Sequence, residues 1–364
     1  MKKALFFIVI VVMMAACARV DHSHNSGVSL LSQAQLLTMT QHDGYIVATI
    51  DNPWGSGTLG TYILVPDTIA MPDSLPQGTV VRTPLRNALV YSAVHTSILA
   101  ELGADACIKG ITDAQYMADS AIVARLQAGE VADCGSSTNP TLEKVIEMSP
   151  DGILLSPYQE NNYGCVTSLK TPLIMCADYM ETSPLGRAEW IKFYGALVGK
   201  PQEADSIYNT VANTYNRLKT ERAAQTATHP KVLTESMISG TWLVPGGKSY
   251  MARIIMDAGG RYPWTDDNHS GSLTLDFNQV LATAKDADVW LVKSFNIKTY
   301  ADLKSAYELH DRFDAFKHRK VYVCDTSGSH LFERFPFHPD VLLQEYCNIF
   351  DGRDTDLIFF TPCM

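Results

Sequence analysis

A short helix followed by a buried strand occurs twice in this sequence. The first copy, TLEKVIEMSPDGILL, begins at Thr141, and the second, LDFNQVLATAKDADVWLV, begins at Leu275. In each copy, apolar residues at helical spacing precede a run of consecutive apolar residues, the pattern of a strand whose two faces are both covered by helices. Two such units, 135 residues apart (278 − 143 = 135), predict two related α/β halves.

Helix–strand alternation continues through most of the chain after Thr79. Strand-like runs such as ALVYSA, CIKGIT and KVYVCD alternate with helical patterns, which predicts parallel sheets with helical crossovers. The exception is a long helical stretch from Ser183-Pro184 to about Ala224, with serine as N-cap and proline in the first turn. Because this stretch is too long for a crossover, it predicts a helix that joins two lobes.

Two strand-like runs over 45–50 and 62–65, separated by a glycine-rich stretch, predict an added N-terminal β-hairpin. Residues 18–42 before the hairpin are polar and without a pattern, as in a tether. The predicted organisation is therefore a signal peptide (1–16), a lipidated cysteine and tether (17–42), an N-terminal lobe with the hairpin (43–182), a linking helix (183–226) and a C-terminal lobe (227–364).

The N-terminus, MKKALFFIVIVVMMAAC, has two lysines, an apolar run and then a cysteine. The run is shorter than the roughly 20 residues of a membrane span and has the layout of a signal peptide. Met14-Ala15-Ala16-Cys17 resembles a bacterial lipobox, in which the cysteine becomes the lipid-bearing N-terminus. We therefore expect a protein of the periplasm or cell envelope, anchored to a membrane through Cys17. An ordinary signal peptide followed by a chance cysteine is the alternative.

Composition narrows the function classes. The chain has 364 residues, 46% of them hydrophobic, which is enough for two domains with separate cores. Its net charge of −10 repels phosphate backbones, so no nucleic-acid partner is expected. The seven cysteines after Cys17 contain no C-x-x-C pair, and neither a metal cluster nor a disulfide framework is expected. No motif of a hydrolase, a metalloprotease or a nucleotide-binding enzyme occurs.

Four segments in this order resemble the ABC-transporter substrate-binding proteins that carry iron–siderophore complexes, haem or cobalamin. LVYSAVHTSILAELGADACIKGIT is similar to the family's opening strand–helix–strand, and TLEKVIEMSPDGILL to its next helix–strand unit. SPLGRAEWIKFYGALVGKPQEA is similar to the start of the connecting helix, and KSYMARIIMDAGG to the first helix of the second lobe. The resemblance covers roughly residues 79–350.

The resemblance implies an α/β fold of two parallel-sheet lobes joined by one long helix, with the ligand cleft between the lobes. It implies a monomer without catalytic activity that captures an iron chelate or cobalamin and delivers it to ABC permease subunits. No cofactor or bound metal of the protein's own is expected, since iron or cobalt would arrive within the ligand.

The resemblance also places candidate ligand contacts at strand ends that face the cleft. Aromatic side chains there can stack on a ring ligand, and an arginine can pair with a carboxylate. For each aromatic residue, partial burial in the core is the alternative. The candidates are Tyr91, His95, Tyr158 and Gln159 in the first lobe, and Trp242, Phe332 and Arg334 in the second.

Glu143 matches the position at which the family presents a lobe-tip glutamate to the permease. A carboxylate at a rim steers encounter and fixes register, although the first turn of any helix also favours glutamate. The equivalent residue of the second copy is Asn278, where the family usually has another glutamate. We expect both residues to lie at the docking surface, with a charge on one side only.

Three alternatives remain open from the sequence. A zinc- or manganese-binding lipoprotein of related architecture would need three or four converging His, Asp or Glu ligands, and no histidine-rich loop is present. An exported enzyme on the same fold would turn its ligand over. A lipoprotein that senses or scaffolds without a transporter is the third alternative, because fold alone does not fix function.

Overall fold

The computed structural model describes residues 27–117, 119–159, 163–225 and 229–364. Cys17 and the predicted signal peptide lie outside these residues. The described chain forms an N-terminal sheet, two α/β lobes and a set of helices between them. Within it, no helix is both long enough and apolar enough to span a bilayer.

The N-terminal sheet has five strands in the order of the sequence. They are β1 Val28–Ser29, β2 Leu37–His42, β3 Tyr45–Asp51, β4 Thr58–Pro66 and β5 Thr79–Thr83. The predicted hairpin is the antiparallel pair β3 and β4, and β5 joins it in parallel. The predicted tether is wrong over residues 28–42, which form β1, β2 and the segment between them. Leu37 and Met39 alternate with polar residues and are buried, a period-two pattern too short to stand out in the sequence.

The N-terminal lobe is built on a parallel sheet with the order β12-β11-β6-β7-β8. Ile153, Leu154 and Leu155 of β11 are fully buried because both faces of the sheet are covered. The elements are β6 Ala88–Val90, α1 Ala93–Glu101, β7 Ile108–Ile111, α2 Ser120–Gln127, β8 Ala132–Asp133, the ribbon β9 Gly135–Ser136 and β10 Asn139–Pro140, α3 Leu142–Met148, β11 Gly152–Leu155 and β12 Leu173–Met175.

Three consecutive helices join the lobes: α4 Pro184–Glu189, α5 Ile191–Leu197 and α6 Pro201–Ala223. The predicted N-cap is present, since the Ser183 hydroxyl accepts a hydrogen bond from the backbone N–H of Gly186 at 3.2 Å. The long linking helix is confirmed in α6, which has 23 residues. It does not begin at residue 183, because Gly199 takes a left-handed conformation (φ 71°) and Pro201 starts a new helix.

The C-terminal lobe repeats the α/β plan with the order β13-β17-β18-β19, in which the last strand is antiparallel. A separate antiparallel sheet, β14-β15-β16, was not predicted. The elements are β13 Val232–Thr234, β14 Met237–Ile238, β15 Thr241–Pro245, α7 Tyr250–Asp257, β16 Ser272–Leu275, α8 Phe277–Ala284, β17 Val289–Lys293, α9 Tyr300–Ala306, α10 Asp314–Lys317, β18 Val321–Cys324, α11 Leu331–Arg334, α12 Pro339–Phe350 and β19 Phe360–Pro362. The predicted fold class, two parallel-sheet lobes joined through a long helix, is confirmed.

Two buried glutamates fasten the N-terminal segment to the linking helices. Glu189 on α4 and Glu181 just before it accept hydrogen bonds from consecutive backbone N–H groups, at 2.6 to 3.1 Å. The donors belong to Ser32, Gln33, Ala34, Gln35 and Leu36. The segment between β1 and β2 has no helix or strand to supply acceptors for these N–H groups. The two carboxylates accept their hydrogen bonds instead and so fix the segment in place.

We expect Glu189→Gln to loosen this attachment. The amide removes the negative charge that accepts these bonds and leaves one oxygen for the N–H groups of Ser32, Gln33 and Ala34. Because hydrogen bonds to a charged acceptor are the stronger ones, the free energy of unfolding should fall by about 1–3 kcal/mol. Urea denaturation measures this change, and limited proteolysis should newly cut near residues 30–36. The exposed Glu221→Gln on α6 is the control; equal effects of the two substitutions would refute the role given to Glu189.

Candidate functional site

The carboxyl ends of the parallel strands in both lobes border two adjoining cavities. Residues that follow β6, β11 and β12 line a cavity of about 340 Å³, among them His95, Tyr158 and Asp178. Residues at the ends of β13 and β17 line a second cavity of about 620 Å³, among them Glu235 and Lys293. Tyr179 lines both cavities, so together they form one cleft between the lobes. Strand carboxyl ends are where open α/β folds place their ligands, and the volumes are typical of small-molecule sites.

Asp178 is the centre of a buried network beneath the cleft. It is the third residue after the end of β12 and is 1% exposed. His95 Nε2 lies 2.9 Å from Oδ1, the Tyr194 hydroxyl donates to the same oxygen at 2.9 Å, and Arg187 Nε donates to Oδ2 at 3.1 Å. The three partners come from α1, α5 and α4, so this carboxylate ties the first helix of the N-terminal lobe to the linking helices.

Arg187 extends the network to the C-terminal lobe. Its Nη1 donates to the Tyr250 hydroxyl of α7 at 2.6 Å, and its guanidinium carbon lies 4.9 Å from the centre of the Tyr250 ring. A guanidinium over an aromatic face is a favourable cation–π contact. One charged side chain therefore contacts both walls of the cleft.

Both members of this pair are ionised at neutral pH. Burial by itself raises the pKa of a carboxyl group, but at Asp178 the hydrogen bond from His95 and the charge of Arg187 outweigh it and lower the pKa to about 2. Burial likewise disfavours the charged form of Arg187, yet Tyr250 and Asp178 raise its pKa. The network thus holds a buried ion pair whose charges compensate each other.

A second ion pair lies at the strand ends of the C-terminal lobe. Lys293 Nζ contacts Glu235 Oε1, and both side chains are largely buried. Glu235 has a left-handed backbone (φ 62°), and its carbonyl accepts a hydrogen bond from Trp290 Nε1 at 2.6 Å. A non-glycine residue held in this conformation at a cleft is typical of a functional site.

Apolar side chains stand exposed in the same cleft. Ile238, Leu243 and Phe332 are 66%, 52% and 48% exposed and line the larger cavity, and Tyr158, 48% exposed, lines the smaller one. We call these four residues the apolar wall. Ile238 and Leu243 belong to the antiparallel sheet β14-β15-β16, so this sheet builds the wall of the C-terminal lobe.

Three predicted contact residues line the cleft: His95, Tyr158 and Phe332. Gln159 is exposed beside Tyr158 but does not line the described cavities. Arg334 lines a separate cavity of about 620 Å³ between α1 and α11, together with Glu101 and His338.

Two predicted contacts are core residues. Trp242 is fully buried, stacks on Trp290 at 5.7 Å and donates Nε1 to the Thr234 carbonyl at 2.9 Å. The prediction for Trp242 is wrong by one position, because alternation along β15 turns Trp242 inward and its neighbour Leu243 towards the cleft. Tyr91 is 8% exposed and packs within the N-terminal lobe, so the prediction for this residue is wrong as well.

Glu143 and Asn278 occupy equivalent places in the two lobes. Each is the second residue of a helix, α3 and α8 respectively, and each is exposed. Their predicted role in docking stays a prediction. Both lie near helix N-termini, where the helix dipole favours the negative charge of Glu143. Asn278 carries no charge.

The sequence reasoning missed Asp178, Arg187, Glu235 and Lys293. Lys293 is the last residue of the predicted strand DVWLVK, and a charged residue at a strand end could have marked it as a candidate. Glu235 lies inside the predicted strand VLTESM, which in the structure ends at Thr234. Asp178 and Arg187 become recognisable only when the fold brings α1, α4 and α7 together. Among the residues that the structure describes, no three His, Cys, Asp or Glu side chains are placed to hold a metal ion.

We expect Asp178→Asn to destabilise the protein strongly. The amide keeps the shape of the side chain but leaves Arg187 without a counter-ion in a buried site, which costs about 3–5 kcal/mol of unfolding free energy. Urea denaturation measures the loss. The exposed Asp43→Asn is the control and should change the value by less than about 0.5 kcal/mol. Similar values for both variants would contradict the central place of Asp178.

The pH dependence tests the same ion pair. The pKa of Asp178 is about 2 in the folded protein and about 4 in an unfolded chain. As the pH falls, the unfolded chain binds the proton first, so the stability from this ionisation is present above about pH 4 and is lost towards about pH 2. The stability difference between the wild type and Asp178→Asn should shrink over this range. A constant difference would assign the effect to packing instead.

The sequence matches the family described as periplasmic binding protein over residues 89–327. An uncharacterised lipoprotein of Methanocaldococcus jannaschii is 31% identical over an alignment of 262 residues, and the match covers 68% of this chain and 61% of the relative. This chain therefore spans less than two thirds of that relative's length.

Two solved structures share the fold. A periplasmic haem-binding protein from Pseudomonas aeruginosa has a TM-score of 0.60 at 15% identity, covering 77% of this chain and 98% of its own. An ABC-type Fe³⁺-hydroxamate transport protein from Saccharomonospora viridis has a TM-score of 0.54 at 15% identity, covering 84% and 98%. At these identities the likeness extends to the fold alone. With the family match across both lobes and the linking helices, this chain belongs to the periplasmic binding protein family.

Proposed function

We propose that this protein captures a metal chelate of the siderophore, haem or cobalamin type in its cleft and delivers it to an ABC permease. The observation that carries the proposal is the apolar wall, four large apolar or aromatic side chains exposed within a cleft at strand carboxyl ends. Large side chains exposed together in a concave site mark a surface that a ligand covers. Two of the four, Tyr158 and Phe332, are aromatic and can stack on the flat faces of a macrocycle or chelate.

A chelate suits this cleft better than a bare metal ion. A site for free zinc or manganese needs several converging nitrogen, sulfur or oxygen ligands. The carboxylates that line the cleft, Asp178 and Glu235, are instead engaged with Arg187 and Lys293. An apolar wall contributes nothing to binding a hydrated ion and contributes much to binding an organic ligand.

The proposal includes the cellular setting. The signal peptide would deliver the protein outside the cytoplasm, and lipid on Cys17 would hold it to a membrane beside its permease. Glu143 would contact the permease by charge and Asn278 through its amide, one from each lobe. The protein would act by binding alone and release its ligand unchanged.

Titration tests the binding proposal. Purified full-length protein, titrated with haemin, a ferric siderophore and cyanocobalamin and followed by absorbance and intrinsic fluorescence, should bind one of them below about 1 µM. Tyr158→Ala should weaken that binding by about tenfold, because a stacking partner is lost. Tyr116→Ala is the matched control, since Tyr116 is 70% exposed and lies outside the cleft lining. If none of the three compounds binds, the proposal is wrong.

Uptake tests the docking surface. In cells that take up the ligand through this protein, Glu143→Ala should lower uptake while leaving ligand affinity unchanged, because the residue is exposed and does not line the cleft. Asn278→Ala, at the equivalent place in the other lobe, should have a smaller effect because no charge is lost. A parallel loss of affinity in Glu143→Ala would place this residue in the fold or the pocket instead.

A further inference from the structure

The charges of the cleft are balanced. Among the described residues that line its two cavities, four side chains are Asp, Glu, Lys or Arg: Asp178, Arg187, Glu235 and Lys293. They comprise two cations and two anions. The remaining polar lining is neutral hydroxyl groups, such as Ser236 and Tyr250, together with His95, which is engaged with Asp178.

Each cation of the cleft already has an anionic partner. Arg187 Nε lies 3.1 Å from Asp178 Oδ2, and the two side chains are 7% and 2% exposed. Lys293 contacts Glu235, with side chains 13% and 18% exposed. Arg334, the cation that the sequence suggested for the ligand, lines the other cavity, between α1 and α11. The described cleft therefore offers a ligand no unpaired positive charge.

We propose that the ligand of this cleft is an uncharged metal chelate with a large apolar surface. The inference rests on the proposed function and selects among the chelates that it allows. An anionic ligand that contacts Lys293 would meet a charge already compensated by Glu235, and it would place its own negative charge beside that poorly solvated carboxylate. A cationic ligand would face the converse problem at Glu235.

An uncharged ligand meets no such conflict. Its apolar parts can lie against Ile238, Leu243 and Phe332, and this burial is favourable without any counter-ion. Its polar groups can bond to hydroxyls: Tyr250 accepts from Arg187 and keeps its own proton to donate. The two ion pairs then stay intact when the ligand binds.

A comparison of chelates that differ in charge tests this inference. The purified full-length protein is titrated with two uncharged probes, a ferric tris-hydroxamate and cyanocobalamin, and with two anionic probes, a ferric tris-catecholate and haemin. We expect an uncharged probe to bind about 100-fold more tightly than either anionic probe. Its affinity should also stay constant as the ionic strength rises, because no net charge is neutralised.

Glu235→Gln tests the residue assignment. This variant releases Lys293 from its ion pair while keeping the size of the side chain, so it should strengthen the binding of an anionic probe by about tenfold or more. The readout is the ratio of the affinities for the anionic and the uncharged probe, which should shift towards the anionic probe; a general disturbance of the cleft would weaken both probes without shifting the ratio in that direction. Glu147→Gln, an exposed substitution on α3, is the control and should change neither affinity. Circular dichroism establishes that both variants are folded.

The outcomes separate this inference from the proposed function. If an anionic probe binds as tightly as the uncharged ones or more tightly, the inference is overturned while capture of a chelate stands. If the preference is found but Glu235→Gln leaves it unaltered, the role of the Glu235–Lys293 pair is overturned. If no probe binds, the proposed function itself fails.

Discussion

The carboxylate of Asp178 joins the parts of this protein that form the cleft. It accepts hydrogen bonds from α1, α4 and α5, and Arg187 carries the connection on to Tyr250 in the C-terminal lobe. A charge in such a position is tolerated only when it is paired and fully hydrogen-bonded. Any movement of one lobe relative to the other must therefore preserve or replace the contacts of the Asp178–Arg187 ion pair.

The rest of the architecture is arranged around that connection. Parallel sheets bring the ends of β6, β11 and β12 to one side of the cleft and the ends of β13 and β17 to the other. Glu181 and Glu189 hold the segment between β1 and β2 against the linking helices. Charged and apolar groups of the cleft lining differ in exposure: the side chains of the two ion pairs are largely buried, whereas those of the apolar wall are about half exposed or more.

Much of the fold was predictable because its signals are local. The repeated helix–strand unit, the Ser183-Pro184 helix start and the 45–50 strand depend on neighbours in the sequence, and each is present in the structure. The site was less predictable. Asp178 and His95 are 83 residues apart, and only the assembled fold shows that they meet.

The errors at the site follow from the geometry of strands. Trp242 was predicted to face the cleft, but its neighbour Leu243 does so instead, since adjacent residues of a strand point to opposite sides. The large aromatic side chain drew the prediction, although it stacks on Trp290 in the core. The short, mostly polar strand β2 was missed for a related reason, because two buried residues, Leu37 and Met39, are too few to reveal a period.

The central claim is that a metal chelate binds between the lobes against the apolar wall. X-ray diffraction at the absorption edge of the metal, from crystals of the full-length protein grown with the chelate that it binds, tests this most directly. The account predicts an anomalous peak in the cleft between Tyr158 and Phe332, with the chelate in contact with both lobes. A metal peak in the cavity of Glu101 and His338, or on the outer surface beside an empty cleft, would contradict it.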